Sequence, residues 1–219
     1  MHFDILVEDQ SGGKALEILV PKIIDVYQGH TYSIHSYKGM GQILKGMHSA
    51  VDASKRQLLN NLPRLLRGYG KTYSEYGNDY QAVVVVVLDL DNKCMHSFRN
   101  ELLSIWEECN PKPNVKFCFA VEEGEAWLLG DMPAIKIAYP SAKNNILRGY
   151  KNDSICGTWE LLADAIYPGG STKLKKKGWI DIGKAKSDWA INISQHMDVW
   201  NNQSTSFCYF RDTLKSLAT

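Results

Sequence analysis

The chain lacks any run of the roughly 20 consecutive apolar residues that a membrane-spanning helix needs, so no such span is expected. Cysteine is sparse, odd in number and scattered: Cys94, Cys109, Cys118, Cys156 and Cys208 contain no Cys-x-x-Cys pair. Neither a disulfide framework nor a structural zinc site is indicated. Cys94 and His96 stand close together, but no second pair of ligands accompanies them. An excess of one charge is missing too, because 25 Lys and Arg meet 24 Asp and Glu. A formal charge of +1 excludes attraction of a polyanion by the whole surface, and any such binding must come from a local patch. There is no internal repeat and no low-complexity stretch. The start, Met1-His2-Phe3-Asp4-Ile5-Leu6-Val7-Glu8, lacks the charged opening and small-residue cleavage site of a signal peptide, so a cytoplasmic protein is expected. A length of 219 residues suits one large domain, or a core with an appended lobe.

What is present is organised around Ala82 to Asp91, where five consecutive valines lead into Leu88-Asp89-Leu90-Asp91. An apolar β-branched run without alternation fits a strand covered on both faces, as at the centre of a parallel sheet. With a period of two, Asp89 and Asp91 point to the same side of the strand's carboxyl end, where open α/β sheets collect ligands. Two carboxylates so placed repel unless a cation lies between them or one takes up a proton. The residues therefore point to a divalent metal site. The plain alternative is a strand that stops in a polar turn.

Before this run, Phe3 to Val7 reads as a strand closed by Glu8-Asp9, followed by Ser11-Gly12-Gly13-Lys14 and a helix for which Ser11 is the expected cap. A P-loop is excluded, because Glu8 stands where its first glycine belongs and Ala15 where Ser or Thr follows the lysine. Tyr32 to Tyr37 reads as a second strand. Helical spacing runs from Ile43 to Leu66, interrupted by Pro63, with Lys55, Arg56, Arg64 and Arg67 along it, and Gly68 to Asn78 reads as a loop. After the valine strand, Met95 to Cys109 is an expected helix ended by Pro111 and Pro113.

Val115 to Val121 is a strand that again runs into acids, Glu122-Glu123-Gly124-Glu125. A helix beginning near Glu122 would put Glu122 and Glu125 on one face and turn Glu123 away. Acids in a first turn suit the helix dipole, but three exceed that role. Farther on, Met132 to Lys151 reads as a connection with a short helix, and helices are expected over Thr158 to Tyr167, Asp188 to Met197 and Phe207 to Leu217. Lys173, Lys175, Lys176 and Lys177 precede Trp179, with Lys184 and Lys186 close behind. A lysine run beside an aromatic can track a phosphate backbone, although a solvated loop has the same composition.

Three strands thus end in carboxylates, in the order Glu8, Asp89-Leu90-Asp91, Glu122-Glu123-Gly124-Glu125. That order resembles the Toprim domain of topoisomerases, primases and nucleases of the overcoming-lysogenisation-defect type. It is closer still to small stand-alone Toprim-like bacterial proteins, often encoded near ATPases in anti-phage clusters. The likeness covers residues 3 to 131. Asp9, where that family has glycine, and the long 43–78 segment depart from it.

The resemblance implies an α/β fold with a mainly parallel central sheet flanked by helices. Residues 1–131 would form the core with a helical insertion at about 40–78, and 132–219 a mostly helical extension. It further implies that Asp89, Asp91 and one of Glu122 and Glu125 hold Mg²⁺ or Mn²⁺, while Glu8 completes the shell or acts as general base. Lys186, or the run Lys173, Lys175, Lys176 and Lys177, would meet the phosphate of DNA or RNA. The implied activity is phosphodiester cleavage with an ATPase partner and no membrane; homo-oligomerisation stays open. Two alternatives stand beside it: a non-catalytic interaction subunit, and a receiver-type regulator. The last is disfavoured, because the later strand ends in glutamates instead of the lysine a receiver needs.

Overall fold

A computed structural model describes residues 1–25, 28–42, 57–77, 80–154 and 156–219. The chain begins with strand β1 (His2–Val7), helix α1 (Gln10–Ile23), strand β2 (Thr31–Ser36) and helix α2 (Leu58–Glu75). It continues through β3 (Ala82–Asp89), α3 (Met95–Glu107), β4 (Val115–Ala120) and α4 (Glu125–Leu129). The remainder is helical: α5 (Met132–Ala138), α6 (Asn144–Gly149), α7 (Thr158–Ile166), α8 (Gly170–Lys175), α9 (Trp179–Ser194) and α10 (Thr205–Leu217). Among the described residues no helix is long and apolar enough to cross a membrane.

The four strands form one sheet in the order β2-β1-β3-β4, every pair parallel. The valine run takes an inner position, and Val83 to Val87 are at most 5% exposed, each stabilising the fold by about 1.5–3 kcal/mol. Because side chains alternate, Val83, Val85 and Val87 join Phe3, Ile5 and Val7 in a core shared with α1 and the helices after β4. Val84, Val86 and Leu88 pack on the opposite face with Leu58, Leu62 and Phe98 of α2 and α3. The chain winds outward from β1 to β2, then returns across β1 to β3 and β4. The direction of winding therefore reverses between β1 and β3, and crevices for ligands open at the carboxyl ends of such a pair.

Several local expectations are corrected. Asp9, not Ser11, caps α1: its carboxylate accepts the Gly12 amide at 2.7 Å, and Ser11 donates its hydroxyl to the same side chain. The two glycines that follow serve close packing, since a Cβ on Gly13 would lie 1.9 Å from Ser36 Oγ. The expected loop from Gly68 is instead the second half of α2, which continues through Pro63 to Glu75. There Gly70 lets the helix approach the Pro111 carbonyl, where a Cβ would come within 2.0 Å, and tertiary packing overrides glycine's weak helix propensity. The first part of the predicted helix, with Lys55 and Arg56, lies outside the described residues. After β4 the helix begins at Glu125, because Glu122 adopts a left-handed φ of 69° that no helical turn accommodates. Helix α9 starts nine residues before the expected Asp188, at Trp179.

Candidate active site

The site lies at the carboxyl edge of the sheet, on the α1 and α9 side. Glu8 follows β1, Asp89 ends β3 in register with Ala120, and Glu125 opens α4 just beyond β4. With Asp9 and Lys186 these three line a small cavity of about 40 Å³ whose floor is apolar, including Val7, Leu16 and Trp127. That volume holds a water or a bare ion, not a nucleotide, so a larger substrate must approach from the mouth.

Glu8 accepts the backbone amide of Asp89 at 3.1 Å, tying the ends of β1 and β3 together. Burial pushes its pKa up to about 7 against that hydrogen bond, and the charges of Asp9 and Asp91 push the same way. Burial likewise raises Asp89 well above the usual carboxylate range, aided by Glu8 and Asp9 and opposed by Lys186. Glu125 is 4% exposed, and burial raises it against the pull of Lys186. The Lys186 ammonium stands 3.1 Å from Glu125 Oε2 and 3.7 Å from Glu123 Oε1. Burial would lower its pKa, but Glu125, Glu123, Asp89 and Asp9 outweigh burial and hold it protonated. Burial also brings Glu123 to about 7 despite Lys186, and its Oε2 is buried without a hydrogen-bond partner.

The other residues singled out in the sequence are placed differently. The period of two stops at Asp89: Asp91 sits in a left-handed turn with φ 49°, half exposed, and meets Lys93 Nζ at 3.3 Å. Its charge still reaches Glu8. Glu122 turns away from the cavity, its two oxygens accepting the amides of Gly157 and Thr158 at the start of α7, the latter at 2.8 Å. That satisfies a helix's orphan N–H groups. The lysine run lies on and just after α8, exposed, with Lys175 3.0 Å from Glu160 and over the Trp159 ring, and Lys177 over Tyr167.

Two residues of the cluster were missed. Asp9 reads from the sequence as the close of the first strand and a departure from glycine, although an Asp immediately before a helix is itself a cap signal. Glu123 was expected to turn away from its neighbours, and no spacing signals the left-handed Glu122 that redirects it. Among the described residues no three His, Cys, Asp or Glu side chains form a ready-made metal shell. The donor set nevertheless suits a hard cation: it is all oxygen, its members raise one another's pKa, and Glu123 keeps an unpartnered buried oxygen. Compared with protein-family models, curated proteins and solved structures, the chain matches none.

Proposed function

We propose that this chain is a Toprim-like phosphodiester hydrolase that uses Mg²⁺ or Mn²⁺ to cleave DNA or RNA, working with an ATPase partner in the bacterial cytoplasm. The observation that carries the reading is the meeting of Glu8, Asp89 and Glu125, from three separate strand ends, with one lysine at the point where the sheet's winding reverses. Repelling buried carboxylates cost stability, and a site that keeps them needs a cation or a proton to offset the repulsion.

Asp89 and Glu125 would hold the metal, which would polarise a phosphate and activate water when bound. Glu8, with its pKa brought to about 7, is matched to taking up a proton near neutral pH. Lys186 supplies a fixed positive charge for a non-bridging phosphate oxygen, held in place by Glu123 and Glu125. Glu122 is left with a structural role, as the cap of α7.

The test is hydrolysis of bis(p-nitrophenyl) phosphate, plasmid, single-stranded DNA and RNA by wild type and Glu8→Gln, with each metal and with EDTA. Metal-dependent cleavage that Glu8→Gln loses supports the proposal. Absence of cleavage of every substrate by a folded wild type overturns it. One observation favours a second reading, a non-catalytic interaction subunit: Lys186 already neutralises part of the acid cluster, as a permanent internal counter-ion would.

A further inference from the structure

We infer that helix α9 carries a docking track for single-stranded nucleic acid, in which Trp179 stacks an unpaired base and a bare stripe of the helix leads the strand to Lys186; this rests on the phosphodiesterase reading. Trp179 is 82% exposed and Ile180 beside it 90%, the two most exposed large apolar side chains among the described residues. They stand in the first turn of α9, ahead of the point where the same side of the helix is covered at Ile182, Ala190 and Ile193.

Residues seven apart on a helix share a face and lie about 10 Å apart along its axis, roughly the span of three stacked nucleotides. Trp179 and Lys186 are so related, and Lys186 and Ala190, one turn on, both line the acid cavity. Between Trp179 and Lys186 on that side comes Gly183, where a Cβ would meet nothing within 4 Å. The stripe is thus an aromatic step, a stretch of naked backbone and then the cation that the cavity holds. Residues 173–186 contain six lysines and one carboxylate, Asp181, so the approach to the step favours a polyanion although the whole chain is close to neutral. Exposed Lys173 and Lys176, immediately before the step, suit phosphate contacts.

A base paired within a duplex has no free face to offer Trp179, so the track selects for single strands. The cavity's size agrees with this arrangement, since only the scissile phosphate, and not a base, would need to reach the acids.

Binding is measured by fluorescence anisotropy in EDTA, with a labelled oligothymidylate of about 20 nucleotides, a duplex of equal length and anionic phosphatidylserine vesicles as probes. Wild type is expected to prefer the single strand. Trp179→Ala should weaken that complex about tenfold with little change for the duplex, and Trp179→Phe should restore most of the loss. Circular dichroism confirms the fold, and an 82% exposed side chain leaves no core cavity when truncated. Equal binding by wild type and Trp179→Ala, equal weakening for strand and duplex, or a loss confined to vesicles each overturns the inference. No binding by wild type does so as well. Because EDTA excludes catalysis, these outcomes are separate from those of the phosphodiesterase reading, which metal-dependent hydrolysis of the small diester decides.

Discussion

Strand β1 carries a buried acid, Asp4, and is followed directly by a half-buried one, Glu8, and the protein treats the two in opposite ways. Asp4 accepts the Tyr73 hydroxyl at 2.5 Å, with His35 Nε2 at 3.3 Å and His2 Nε2 at 3.4 Å. Burial alone would raise its pKa, but the hydrogen bonds of His35 and Tyr73 and the two imidazoles outweigh burial and hold it below the usual value. Glu8 receives one backbone amide, faces further carboxylates and rises to about 7. Burial is common to both; the supply of donors is not. A carboxylate whose lone pairs are filled is part of the fold's stability, whereas a group of carboxylates sharing too few donors is held ready for something the chain does not itself provide.

The largest expected effect lies at the poorly supplied end. Asp89→Asn should lower metal-dependent cleavage by at least about 100-fold while leaving the melting temperature unchanged or higher, because removing one charge relieves the repulsion among Glu8, Asp9 and Asp89. The same variant should lose the upward shift that Mn²⁺ gives wild type. Thermal scans with and without Mn²⁺, run beside the cleavage assay, check both. A melting temperature several degrees lower in Asp89→Asn would break the comparison, since the acid would then be as structural as Asp4.

At the well-supplied end the sign reverses. Asp4→Ala leaves the Tyr73 hydroxyl without its acceptor and should cost about 1–3 kcal/mol, a fall of roughly 5 °C in a domain of this size, with cleavage of a small diester retained. Tyr73→Phe removes one hydrogen bond and leaves His35 and His2 in place, so about 1 kcal/mol, or near 3 °C, is expected. Differential scanning fluorimetry ranks the two. If Tyr73→Phe proved the more damaging, ring packing against Tyr69 and Tyr80 would outweigh the hydrogen bond.

The difference between the two acids was only half legible in the sequence. Glu8, Asp89 and the glutamates after β4 could be found because each directly follows an apolar run whose composition signals a buried parallel strand, and a strand's end fixes where its next residue lies. The same runs marked β1, β3 and β4 as strands, whereas β2, Thr31–Ser36, is polar and half-exposed, and the mainly parallel sheet was expected from the resemblance. Asp4 carries no such signal, since apart from His2 its partners come from β2 and from the part of α2 that reads as a loop; only the packing of Gly70 on Pro111 shows why that segment stays helical. Nor could spacing separate Lys186 from its neighbouring lysines. Its place in the cavity depends on α9 packing against α1, a contact between segments more than 150 residues apart, which Lys22 reinforces by donating to the carbonyls of Ser194, Gln195 and Met197 at the end of α9. Glu122 and Glu125 had equal claims until a left-handed residue gave the first to α7.

The most specific effect is a modest one, because it isolates ionisation from shape. Asp4→Asn keeps the side chain's volume and removes its titration. A carboxyl whose folded pKa lies below its unfolded value adds stability that is fully present above the unfolded pKa and is lost as pH falls through the folded one. The groups facing it are His2, His35, Tyr69 and Tyr73. The melting temperature of wild type should therefore exceed that of Asp4→Asn at about pH 5, and the gap should shrink as the pH falls below about 4. The gap itself should amount to a few degrees, since one charge-assisted set of hydrogen bonds is exchanged for neutral ones. A gap that widens between about pH 5 and pH 3 would mean that Asp4 is stabilised as the protonated acid, which would place it in the same class as Glu8 and remove the contrast between the two.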